Sequence, residues 1–319
     1  MTFRTHRTSV IVAALHVGGW GVLLATVLVP GAGVSSTAAL GLGIGGTAYA
    51  LGLRHAFDAD HIAAIDNTTR RLVATGRTSS GVGLWFSLGH SSVVTALCVL
   101  VAVGVRGIDS LVSDPTSGLH RWTGVIGPTV SAVFLVAIAI ANLVGLLRRR
   151  GASHTHGGPV AALLGRLGVV ADRPSRMFVV GLLFGLGFDT ATEVGLLALA
   201  GTSAASRDWW SVLALPVVFA AGMSFLDSAQ GAMSRRAYTG GRSTTVVTAV
   251  SIVAALIIAA VELAGVLSAN LHVPAFLTGI SGGDVASLGL WLTAVLLAAW
   301  GINALLPALP FTVDRKQRT

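Results

Sequence analysis

This sequence is poor in charge. Asp, Glu, Lys and Arg together make up 11% of its 319 residues, against about 25% in an ordinary soluble domain. With 53% hydrophobic residues and a mean hydropathy of +0.80, the chain is too apolar for water and belongs in a bilayer. Cysteine is nearly absent. Cys98 stands alone, which excludes an internal disulfide and a thiolate-rich metal site. There is one lysine against 20 arginines. The net charge of +8 is spread over short loops with no basic stripe and no interleaved aromatics, so it does not describe a nucleic-acid surface. The Gly-rich stretch from Gly41 to Gly46 lacks the Lys-Ser/Thr of a phosphate loop and reads as close helix packing. The His-Glu-x-x-His of a zinc protease is missing as well.

What is present is a series of apolar runs, each near the roughly 20 residues that cross a membrane. Spans are expected at about 9–29, 39–66, 81–105, 123–147, 176–202, 208–233, 245–268 and 287–308. The first follows Arg4 and Arg7 as a signal peptide would, but it is long for one and no clear cleavage site follows. The chain is expected to be all-α and polytopic, a single domain over 1–319. Of the 21 basic residues, 17 fall on one side of this layout, and only Arg106, Arg121 and Arg207 fall on the other. By the positive-inside rule both termini are cytoplasmic, which requires an even number of spans. The longest cytoplasmic loop, about 148–175, holds His154 and His156 and is expected to be flexible.

Ionisable groups inside a membrane span are costly and mark pairs or function. The second span carries Arg54, His55, Asp58, Asp60 and His61, with Asp66 and Asn67 near its cytoplasmic end. The third carries His90 between Ser87 and Ser91. The fifth carries Asp189 and Glu193, and the sixth carries Ser224, Asp227, Ser228 and Gln230. His16 lies in the first span. On a straight helix His55 and His61 point about 240° apart at about 100° per residue, so one straight helix cannot aim both at one ion. Either the helix is distorted locally, which Gly52 would permit, or other helices complete two adjacent sites. Imidazoles beside carboxylates, with no cysteine, suit a borderline divalent ion such as nickel, cobalt or zinc. The plainer alternative is that Arg54, His55 and Asp58 only pair with one another and brace the bundle; Asn142 and Glu262 are equally open to a structural role.

At these residues the sequence resembles the nickel/cobalt transporter family. The resemblance is carried by Arg54 to Ile62, which holds a His-x4-Asp-His signature at His55, Asp60 and His61. Phe86 to Ser91, Leu186 to Glu193 and Gly222 to Ser228 look like three further family motifs, in order. The resemblance implies high-affinity uptake of Ni2+ or Co2+ as transported substrate, by a secondary permease of the bacterial cytoplasmic membrane. No prosthetic group, enzymatic activity, nucleic-acid partner or obligatory protein partner is expected; the partners are the ion and the lipid bilayer. His55, Asp60 and His61 carry over as essential positions, with Asp58 and His90 in support and Asp189, Glu193 and Asp227 along the path. His16 resembles a first-span histidine linked to selectivity. One departure is Gln230, where the family usually has Asp. Export by a related permease is the chief alternative, and the low histidine content of the loops argues against it. A metalloprotease or a metal-sensing membrane protein ranks behind it.

Overall fold

The computed structural model describes residues 2–28, 34–102, 117–149, 172–187, 195–196, 199–200, 209–239, 244–270 and 290–299. Apolar sequence in lipid must satisfy its backbone internally, and helices do so within one segment. The described residues follow that rule and contain no strand. They form α1 (Thr2–Leu28), α2 (Val34–His55), α3 (Ala59–Ala74), α4 (Val82–Ala102) and α5 (Gly118–Arg149). A 3-10 turn at Pro174–Arg176 leads into α6 (Met177–Phe184). Then come α7 (Trp209–Thr239), α8 (Thr244–Asn270) and a short apolar α9 (Leu290–Ala299). Within α1, α4, α5, α7 and α8 lie five segments long and apolar enough to cross a membrane. The expectation of an all-α polytopic membrane protein is borne out.

α7 is the hub, packing against α1, α2, α3 and α4, while α8 lies along α5 and α3, and α6 against α4 and α5. Glycines set the closest approaches. A Cβ on Gly89 would strike the Phe178 carbonyl of α6, and one on Gly181 would strike the Phe86 carbonyl of α4. Small residues of this kind let membrane helices pack backbone to backbone, and here they seat His90 against the centre of the bundle.

The main departure from the expected layout is at the second span, which is two helices. Ala56 N donates to Gly52 O at 3.3 Å, the last i→i−4 bond of α2. Phe57 N then donates to Arg54 O at 3.0 Å and Asp58 N to His55 O at 2.9 Å, tightening the end of the helix. Asp58 adopts an extended conformation, φ −65° and ψ 139°, and α3 starts at Ala59. Gly52 is not the flexible point. A Cβ there would strike the Phe219 carbonyl of α7, so its role is close contact.

α3 also runs past the expected end of the span to Ala74, taking in Arg70 and Arg71, which the charge pattern assigned to a loop. Its end is a Schellman motif: Gly76 has φ +69°, Gly76 N donates to Val73 O at 3.0 Å and Arg77 N to Leu72 O at 2.8 Å. The expected loop at 148–175 falls, apart from its ends, outside the described residues, and with it His154 and His156.

Candidate metal centre

The break between α2 and α3 re-aims the signature histidines. His55 closes α2 and His61 lies in the first turn of α3, so the large angle that a straight helix would impose is removed. Their rings sit 4.6 Å apart, and the ring of His90 on α4 lies 4.6 Å from His55 and 4.9 Å from His61. One ligand nitrogen from each of the three can be chosen so that all lie within 4.8 Å of one another. All three side chains are buried, at 1%, 1% and 2% exposure. Phe86 packs on His61 at 4.8 Å and Phe219 on His55 at 5.7 Å between ring centres, which keeps the surroundings dry.

Close polar contacts orient this cluster. Asp58, freed from capping α3, lies with Oδ2 2.7 Å from His55 Nδ1. A carboxylate on Nδ1 holds the proton there and turns the other nitrogen, Nε2, outward as a bare donor atom, the usual support for a metal-ligating imidazole. His55 Nε2 is 2.8 Å from His90 Nε2; with both rings neutral, His90 donates that proton. Two imidazole nitrogens bound cis to one ion at about 2.1 Å each lie about 3 Å apart. The pair is therefore already near ligand spacing. His61 Nδ1 is buried with no hydrogen-bond partner, a cost that an ion, water or a changed tautomer would remove.

The other site candidates surround the cluster. Asp60 sits in the first turn of α3, where the helix dipole favours an anion, and its Oδ1 accepts from the His61 backbone N at 2.9 Å. Asp227 on α7 is fully buried, accepts from Ser87 Oγ at 2.6 Å through Oδ2, and leaves Oδ1 unpartnered. Ser224 and Ser228, on the same face of α7, also keep unpartnered hydroxyls. His16 is elsewhere: its Nδ1 lies 2.8 Å from Val12 O and its Nε2 3.1 Å from the Tyr49 hydroxyl. It lines a cavity of about 520 Å3 with Thr8, Ser79, Phe225 and Ser228. Asp189 and Glu193 lie outside the described residues.

Of the pairing alternative, only the His55–Asp58 contact is present; Arg54 is exposed. Asn142 donates to Asn67 O and Oδ1 at 3.2 and 3.1 Å, and Glu262 Oε1 accepts from Ser131 Oγ at 2.8 Å, so both tie helices together. Gln230 Nε2 donates to Ile62 O at 3.0 Å. An ionised Asp could not donate there, so the departure at 230 links α7 to α3. Tyr49 and Phe219, which neighbour the histidines, are ordinary apolar-span residues with no signal in the sequence.

Asp58→Asn keeps the shape but offers His55 an amide in place of the carboxylate. Changes to the support of a metal-bound histidine cost about 10–100-fold in affinity, and a loss in that range is expected for Ni2+ binding to the purified variant by calorimetry.

An all-helical membrane protein with three inward-facing imidazoles at a helix break has the donor set of a carrier for a borderline divalent ion. The chain belongs to the high-affinity nickel-transport protein family, whose model matches residues 41–306. It is 43% identical to the nickel transporter NicT of Mycobacterium tuberculosis over 92% of this chain and 86% of that one. It is 38% identical to the nickel transporter NixA of Staphylococcus aureus, over 93% and 92% of the two chains. The cobalt transport protein NhlF of Rhodococcus rhodochrous is 34% identical over 81% and 80%. No solved structure matches the chain.

Proposed function

We propose that this protein imports Ni2+ or Co2+ across the bacterial cytoplasmic membrane as a high-affinity secondary permease. The observation that carries the reading is the break at Ala56–Asp58, which brings His55 and His61 to one point together with His90. There the ion sheds water and exchanges it for imidazole nitrogen, with Asp58 and Asp60 supplying negative charge nearby. Asp189, Glu193 and Asp227 complete the path or carry protons as access changes, and His16 acts from the neighbouring cavity on which ion enters. Eight spans in a single domain, with both termini in the cytoplasm, follow from the apolar runs and the one-sided arginines. The relatives' names support nickel and cobalt as cargo, and the absence of thiolates fits ions that accept N/O ligands.

The test is radioactive nickel uptake by cells lacking their own nickel permeases, with cobalt or zinc in excess as competitor. The expected result is uptake above empty cells, suppressed more by cobalt than by zinc. Accumulation below that of empty cells would identify an exporter instead. Protons compete with metal for imidazole, so Ni2+ affinity of the purified protein is expected to fall as the pH is lowered. Affinity unchanged from pH 8 down to pH 5 would count against histidine ligation.

A further inference from the structure

A second polar centre lies at the end of the bundle where α3 and α7 stop and α8 begins. Asp66 is fully buried there; its Oδ1 accepts from Ser234 Oγ at 2.8 Å, and the Tyr238 hydroxyl donates to the carboxylate at 3.0 Å. Asp66 is therefore engaged, and the neighbouring Arg70 feels its charge but makes no ion-pair contact with it. Arg70 is 4% exposed and its NH2 group donates to Asn67 Oδ1 at 3.0 Å, while its Nε is buried with no partner. Among the described residues no carboxylate lies within 4.0 Å of Arg70 or Arg71. A buried guanidinium with an unused donor and no carboxylate in contact with it is expensive.

Both arginines line a cavity of about 300 Å3, together with Thr75, Asn142, Tyr238 and Thr248, and no acidic residue lines it. It is a donor-rich pocket with a net positive lining. One flank of the cavity is apolar: Val73, Ala74, Ala141 and Leu146 also line it.

We infer that this cavity holds the phosphate of an anionic phospholipid headgroup, received by Arg70 and Arg71 with the acyl chains leaving over Val73, Ala141 and Leu146. The guanidinium fork matches phosphate oxygens two at a time. Basic pockets between helices on the cytoplasmic side are where anionic headgroups dock, and the arginine-rich side of this chain is that side by the positive-inside rule. A soluble phosphate shares the polar chemistry but has no use for the apolar flank. The inference stands apart from the metal centre, because the cavity repels a cation.

The test uses the full chain purified in a neutral detergent and offered phosphatidylglycerol, phosphatidylcholine or inorganic phosphate. Bound lipid is read by native mass spectrometry and the thermal midpoint is followed in parallel. Phosphatidylglycerol is expected to be retained over phosphatidylcholine and to raise the midpoint, with phosphate alone doing neither. Arg71→Gln, half-buried and with no side-chain bond in the network, keeps the fold and is expected to lose about fivefold in phosphatidylglycerol retention, the effect of one arginine near a lipid surface. Arg235→Gln, a basic change outside this cavity, is expected to retain it. Equal retention of the two lipids, or an Arg71→Gln protein that binds like the parent, would overturn the inference. Stabilisation by inorganic phosphate matching that of phosphatidylglycerol would overturn the lipid assignment in favour of a soluble anion.

Discussion

Replacing His61 by alanine is expected to reduce nickel uptake to that of cells without the protein, and His90→Ala to do the same. The three rings form one cluster with nitrogens within 4.8 Å of one another, so loss of any one removes a ligand and leaves an unfilled polar gap. Disturbing only the support of a ligand costs about 10–100-fold in affinity; losing the ligand itself is expected to exceed about 100-fold. His16→Ala is the contrasting variant. Its two ring nitrogens face Val12 O and the Tyr49 hydroxyl, outside the cluster, so uptake should persist with a changed response to cobalt. Uptake at saturating nickel and Ni2+ binding to purified protein check both statements, with expression verified by immunoblot. Normal binding in the His90→Ala protein would remove α4 from the site.

Gly52→Ala is expected to be among the most damaging conservative changes at the described residues. The added methyl would strike the Phe219 carbonyl, and neither backbone can yield without moving α2 against α7. Overpacking of this sort costs about 1–3 kcal/mol. The displacement also acts on function, because His55 follows three residues later and Phe219 backs its ring at 5.7 Å. Uptake should fall by at least about tenfold, the effect expected when a site residue is displaced by about 1 Å, and the thermal midpoint should drop. Gly46→Ala supplies the control, since a Cβ there meets nothing within 4 Å and alanine is the better helix former. If Gly52→Ala melts and transports like the parent, α2 and α7 are not locked at this contact.

Much of this was legible in the residues. The spans show in runs of apolar residues because lipid leaves a helix no alternative way to satisfy its backbone. α4, α7 and α8 lie close to where they were expected; α7 exceeds its expected end because Arg235 and Arg236 remain helical. The histidines of the second and third spans stood out because charge-bearing groups are rare in such sequence. The angular argument even required a distortion or a second site. It did not locate the bend, and Gly52 was the wrong suspect. Breaking a helix at Asp58 depends on what receives the displaced carboxylate and backbone, and those partners come from the fold.

Arg70 makes the same point. Its charge placed it in a loop by pattern, while the structure buries it inside α3 beside Asn67, Asp66 and Tyr238. Asp66 was visible as a polar residue near a span end. Ser234, Tyr238 and Ser251, distant in sequence, were unremarkable until packing brought them together, with the Tyr238 hydroxyl 3.0 Å from Ser251 Oγ.

By itself, the sequence determined that this is an all-helical membrane protein of the nickel-transport family, with its polar residues concentrated in a few spans. Those properties follow from composition, run length and local motif, each readable along one dimension. Only the tertiary structure decided that His55 and His61 converge, that His90 joins them, that Asp58 turns away from its helix to hold His55, and that Gln230 serves as a tie to α3. Each depends on the angle and separation between helices, which are set by glycine contacts and side-chain packing between segments far apart in the chain.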